Sequence, residues 1–197
     1  MGKGRLEAFS DGVMAIIITI MVLELKVPHE AELHSLQPLI PVFISYLLSF
    51  IYLAIYWNNH HHMMHAVKHV NGKVLWANMH LLFWLSLIPI ATAWMGENHF
   101  SRLPVILYGF ILLMAGVAYY ILSQTLIRIH SGNKELATAI GSDRKGKLSV
   151  VILVLAIILS FVHTWISMAL YVLIAIMWFI PDRRIERKLE NGQTLES

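Results

Sequence analysis

Long apolar runs separated by short polar connections set the terms for this chain. A helix of about 20 apolar residues spans the hydrocarbon core of a bilayer, and five such blocks fill most of the 197 residues. With 57% hydrophobic and 14% charged residues and a mean hydropathy of +0.65, the sequence lies far from soluble composition. It reads as an all-α integral membrane protein, one unit over residues 1–197, with room for six crossings and almost no soluble domain. Any function then sits in or between the helices.

The first span is expected over 5–27, closed by Pro28. The second covers 39–61 and ends in Trp57, Asn58, Asn59 and a run of histidines. The third covers 74–95, where Pro89 should kink the helix by removing one backbone donor and clashing one turn back. The fourth covers 103–129, with Gly109 and Gly116 permitting close helix approach. The last apolar block, 148–180, is too long for one crossing and divides into 147–162 and 165–180, turning at His163 and Thr164. Six spans place thirteen basic residues at connections on one side and only Lys26 and Arg102 on the other. The positive-inside rule then puts both termini in the cytoplasm and the protein in the cell (inner) membrane as a multi-pass chain. Lys3 and Arg5 before an apolar run look superficially like a signal peptide. Asp11 interrupts that pattern and no small-residue cleavage site follows Leu23, so the segment is expected to be retained.

The net charge of +3 comes from these flanks and not from one basic patch, so no nucleic-acid partner is expected. No cysteine is present, which excludes disulfides and thiolate chemistry. Nor is there a GxSxG elbow, a phosphate loop or an HExxH motif. Asp11 and Glu24 lie 13 positions apart on one helix, about 20 Å by helical rise, too far for joint acid–base work in one subunit. No enzymatic activity and no cofactor are expected. His61, His65 and His69 would share a helical face at metal-ligand spacing, but the His60–His69 stretch sits at the end of a span, where polar residues are ordinary, and no metal is expected there. No span carries an arginine ladder for voltage sensing, and no TVGYG-like pore loop is present. In a channel of this sequence, side chains would have to select the ion.

The first helix carries the remaining signal. At 100° per residue, Gly12, Ile16, Thr19 and Leu23 form one stripe. Several copies around an axis would stack an isoleucine ring able to dewet and close a pore and a threonine ring offering hydroxyls to a partly stripped cation. Glu24 would concentrate cations at the outer mouth. Lipid-facing helices show the same spacing, so the stripe alone leaves both readings open. Asp11, near the helix start with Arg5, Phe9 and Ser10, points about 100° away from the stripe. A carboxylate in a span needs a partner; Trp57, Asn58, Asn59, Asn78 and His80 approach from the same side. Bracing between helices fits Asp11 better than ion contact.

The run Arg5-x-x-x-Phe9-Ser10-Asp11 before a long apolar stretch with a threonine resembles the signature of the transmembrane protein 175 family of potassium channels. The six-span count, the tryptophan and histidines ending the second span, and the N-x-x-L-L-F…L-I-P pattern of the third resemble it too. The resemblance implies a homotetramer in the lipid bilayer, permeant potassium ions, and four first helices around a pore without a pore loop. It also implies a hydrophobic constriction at Ile16, selectivity at Thr19, Ile20 and Leu23 as further pore-facing positions, and helix bracing by the FSD residues. A proton- or solute-coupled transporter using Asp11 and nearby histidines is the alternative, though no internal duplication or paired intramembrane charges are evident. A non-conducting scaffold is a third.

Overall fold

A computed structural model describes residues 2–67, 69–130 and 144–179, with only the backbone of Arg144. Its helices are α1 (Lys3–Leu23), α2 (Ile40–His65, preceded by a 3-10 segment, Leu33–Leu39), α3 (Gly72–Ser86), α4 (Ile88–Glu97), α5 (Arg102–Ile129), α6 (Arg144–Leu159) and α7 (Thr164–Phe179). α3 and α4 form one bent apolar rod, so these elements make six rods. Four rods, Lys3–Leu23, Leu33–His65, Gly72–Glu97 and Arg102–Ile129, are long and apolar enough to cross a membrane. The last two helices have 16 residues each, about 24 Å by helical rise.

Local chemistry sets the boundaries. The Asn71 side chain caps α3 by accepting from the Val74 amide at 3.1 Å, which satisfies one of the helix's orphan donors. Pro89 sits in the first turn of α4; its missing N–H and its clash one turn back shift the break to Leu87, between the two segments. The reversal after α4 is pinned by Phe100, which is buried, has φ 57 and donates its amide to Met95 O at 3.0 Å. α6 stops at Leu159 and α7 starts at Thr164, with His163 N bonded back to Leu159 O at 2.9 Å. The first helix ends at Leu23, four residues before the expected 27. The second runs on through the histidines to His65. Ile180, Lys68, Lys134 and the basic residues Arg183, Arg184, Arg187 and Lys188 lie outside the described residues.

α5 is the central rod, turning Tyr108, Leu112, Ala115, Ala118, Leu122 and Leu126 into the core. Its Gly109 lies under the Tyr171 ring, where a Cβ would collide with the phenol oxygen; Tyr171 in turn donates to Val105 O at 3.1 Å. Gly96 lets α4 meet α2, with Val42 Cα only 2.7 Å from where a Cβ would stand. Buried polar groups pair: Ser49 Oγ is 2.7 Å from Thr92 Oγ1 and donates to the Tyr108 hydroxyl at 3.0 Å. Among the described residues no buried side-chain polar atom lacks a partner, which matters where lipid offers none.

The contacts define two ends. Ser10, His60 and Asn78 meet at one, and that end also carries Tyr119 bonded to Asn59 O and Trp178 bonded to Ser149. Lys26 pairs with Glu97 at the other, where Phe100 lies against Trp165. The starts of α1, α3 and α6 and the end of α5 therefore put Lys3, Arg5, Lys73, Arg128, Lys145 and Lys147 at the first end. Lys26 and Arg102 lie at the second.

Candidate functional site on the first helix

α1 has two unlike faces. Leu6, Ser10, Met14, Ile17 and Met21 are buried, at the helical spacing of a single stripe, against α2, α3 and α4. Gly12, Ile16, Thr19 and Leu23 are exposed, Ile16 by 58% and Leu23 by 77%. Their mean direction lies about 150° from that of the buried stripe at 100° per residue. Ile20, 45% exposed, sits on the shoulder. It lines, with Val13, Ile16 and Glu24, an open groove whose opposite wall is Pro89, Ile90, Trp94 and Glu97. The Thr19 hydroxyl donates to Ile16 O at 2.9 Å. Its proton is thus committed to the backbone, and the oxygen lone pairs are what the exposed face presents.

The buried stripe is polar at one place. Ser10 Oγ donates to Leu6 O at 2.9 Å and accepts from Asn78 Nδ2 at 2.9 Å. Asn78 Oδ1 faces His60 Nε2 at 2.8 Å. With the Asn78 amide nitrogen spent on Ser10, its oxygen must accept, so His60 carries its proton on Nε2. Ser10 and Asn78 are 0% exposed and His60 1%; the chain ties α1, α2 and α3 together at one level. Next to it, half-buried Asp11 accepts from Trp57 Nε1 at 3.0 Å. The Trp57 ring stacks on His61 at 5.6 Å, and His61 meets His65 at 4.4 Å.

The structure brings Asp11 to Trp57 and Ser10 to Asn78. It does not bring His80 to either: His80 Nε2 accepts from Trp84 Nε1 one turn along its own helix, at 3.0 Å. Arg5 and Phe9 are exposed at the helix start, and Glu24 is exposed just past Leu23, beside the Lys26–Glu97 pair at 3.2 Å. His60 is the brace residue that the sequence does not single out, because it stands in a run with His61 and His62 at the end of the span. Helical rotation separates them: His60, Met63 and Met64 turn inward, while His65 faces out. Among the described residues no three His, Cys, Asp or Glu side chains are placed to hold a metal ion.

A potassium channel of Chryseobacterium sp. (strain P1-3) is 56% identical over 192 residues, covering 98% of this chain and 100% of its own. The chain belongs to the TMEM175 family. The family profile, described as endosomal/lysosomal potassium channel TMEM175, matches residues 5–89. That segment contains Ser10, Asp11, Trp57, His60 and Asn78, the whole brace. The fold is also that of a TMEM175 crystal structure, of a lysosomal potassium-selective channel homolog from Chamaesiphon minutus, with TM-score 0.79, 28% identity, and coverage of 90% of this chain and 96% of that one. The zebrafish endosomal/lysosomal proton channel TMEM175 is 26% identical over 216 residues, 98% of this chain and 40% of its own. As a TMEM175 family member with this set of apolar rods, the protein is a multi-pass membrane protein.

Proposed function

We propose that this protein is a potassium-permeable channel in which copies of α1, four in the assembled homotetramer, line a central pore. One observation carries the reading: α1 packs against its own subunit along one face and is tied there at Ser10 by a polar network, while Gly12, Ile16, Thr19 and Leu23 point the other way and stay exposed among the described residues. Ile16 forms the hydrophobic constriction, with Ile20 and Leu23 as further narrow positions, and closes the path by excluding water. Thr19, one turn further along, supplies a ring of oxygen lone pairs to a partly dehydrated cation, since its proton is held by Ile16 O. Glu24 raises the local cation concentration at the mouth. Relatives named as potassium channels support the choice of ion, and the basic residues gathered at one end support cytoplasmic termini and residence in the cell membrane.

Potassium flux from liposomes containing the purified protein tests this reading. Ile16→Asn replaces the apolar ring with one that water wets and should raise flux at least several-fold; flux unchanged in both Ile16→Asn and Ile16→Ala would remove the gate. Thr19→Val keeps the shape and deletes the oxygens, so the potassium-over-sodium reversal potential should shift under bi-ionic conditions. The coupled-transporter reading puts Asp11 in the transport path. Asp11 instead accepts from Trp57 and lies off the stripe, which favours the channel. Loss of a pH-driven, saturable flux in Asp11→Asn with normal assembly would reverse that preference.

A further inference from the structure

A second site lies on the far side of α2 from the brace. A cavity of about 370 Å³ opens among α2, α5, α6 and α7, within the range of about 300–1,000 Å³ that small-molecule sites occupy. Its wall is apolar for a stated reason. The Tyr52 hydroxyl donates to Tyr171 O at 2.7 Å and the Tyr56 hydroxyl to Leu112 O at 3.4 Å. Both phenols line the cavity and spend their hydroxyl protons on backbone carbonyls. Trp178 Nε1 donates to Ser149 Oγ at 2.8 Å, the Ser149 hydroxyl donates to Lys145 O at 2.9 Å, and Asn59 Nδ2 donates to Ile55 O. Water needs two to four polar partners and finds few here; hydrocarbon fits.

One end of the cavity is different. Lys147, exposed, belongs to the lining and makes no ion pair among the described residues. It lies in the basic start of α6, which reads Arg144, Lys145, Gly146, Lys147. Tyr120 and Trp178 line the same cavity, and such rings mark the depth of the headgroups in a membrane helix. Among the described residues no acidic side chain lines the cavity. From Lys147 the lining runs inward to Leu153, six residues along α6, about 9 Å by helical rise. Depth, apolar wall and a cation at the mouth match one part of the bilayer itself.

We propose that this cavity binds an anionic phospholipid of the membrane, one acyl chain inserted between α5 and α6 and the headgroup phosphate on Lys147. The site is separate from the conduction path and from every residue of the α1 brace, so its occupancy is measured without reference to flux.

The purified full-length protein, given phosphatidylglycerol or phosphatidylcholine of identical chains, is read by native mass spectrometry for retained lipid. The wild type should retain phosphatidylglycerol in preference. Lys147→Gln should lower that retention about fivefold, the effect of one basic residue at an anionic surface, and leave phosphatidylcholine unchanged. Gly116 lines the cavity with only the Tyr56 hydroxyl, at 3.7 Å, near an added Cβ; Gly116→Leu should fill the space and reduce retention of both lipids about tenfold, displacing roughly two methylenes. Val117→Phe, at another lining position, repeats that test should Gly116→Leu fail to fold. Equal retention of the two lipids by the wild type, or none, overturns the proposal. So does loss in Lys147→Gln with full retention in both filling variants, which means association with the surface. Loss in the filling variants alone means a chain held without its headgroup and equally overturns the anionic site.

Discussion

Replacing Asn78 with leucine tests whether the brace holds α1 as described. The side chain is 0% exposed and makes two bonds, accepting near His60 Nε2 at 2.8 Å and donating to Ser10 Oγ at 2.9 Å. Leucine fills similar volume, so little cavity forms. The His60 N–H then loses its acceptor, and an orphaned buried donor costs about 1–3 kcal/mol in water-soluble proteins. Within a bilayer the unfolded reference also finds partners, and side-chain hydrogen bonds couple by about 0.6 and at most roughly 1.7 kcal/mol. Ser10→Ala alone orphans the Asn78 N–H in the same way. Once Asn78 is leucine, however, Ser10 retains only its bond to its own helix carbonyl, Leu6 O, and its removal costs almost nothing further. The double mutant should therefore be less destabilised than the sum of the singles by about 1 kcal/mol, roughly fivefold in the unfolding equilibrium. Reversible unfolding in mixed micelles, titrated with a denaturing detergent and followed by tryptophan fluorescence, gives all four corners of the cycle. Additivity within about 0.3–0.5 kcal/mol, the behaviour of independent sites, would refute the bond between α1 and α3.

Other perturbations read other contacts. Trp57→Phe keeps the ring but deletes the N–H that Asp11 accepts at 3.0 Å; a charge-assisted bond at a half-buried site should cost about 1.5 kcal/mol, and Asp11→Asn in that background should restore part of the thermal stability. Gly109→Ala drives a methyl into the Tyr171 hydroxyl and should lower the melting temperature by an overpacking cost of about 1–3 kcal/mol, while Tyr171→Phe added to it should recover some of that loss. Gly96→Val should be more severe than Gly109→Ala, because behind the Ser45 hydroxyl at 2.5 Å stands the backbone of Val42 at 2.7 Å, which cannot swing aside as a side-chain tip can; the yield of folded protein on size exclusion reports it.

Much of the bundle is legible from the sequence because bilayer thickness fixes how long an apolar run must be, and that length survives without any knowledge of packing. The hairpin in the final block is legible for the same reason, since a mainly apolar block over 148–180 exceeds one crossing. Partner choice is not legible to that degree. His80 and Asn78 are two positions apart in the middle of α3, and either suits a polar neighbour; only rotation about the helix decides that Asn78 turns inward to Ser10 while His80 meets Trp84 one turn away. His60 is obscured by His61, His62 and His65, whose shared chemistry conceals that rotation about the helix buries His60 and exposes His65. The two readings of the α1 stripe stayed open because lipid and a dewetted pore accept the same isoleucine and leucine. The fold shows the opposite face of α1 to be occupied, which leaves the stripe free to meet either.

That division between faces has a consequence for measurement. A brace variant and a stripe variant act on different quantities: Asn78→Leu changes how firmly α1 is held to α2 and α3, whereas Thr19→Val changes what an ion meets after the helix is in place. If the stripe lines the pore, Asn78→Leu should alter total potassium flux through the fraction of channels open and leave the bi-ionic reversal potential where it was, because each open pore keeps its threonine oxygens. Thr19→Val should move the reversal potential with the detergent unfolding midpoint nearly unchanged, its hydroxyl bonding only to its own helix at Ile16 O. A reversal potential shifted equally by both variants would mean that Ser10, Asn78 and His60 reach the ion path. The polar seam on the inner face of α1, and not the exposed stripe, would then carry the conduction.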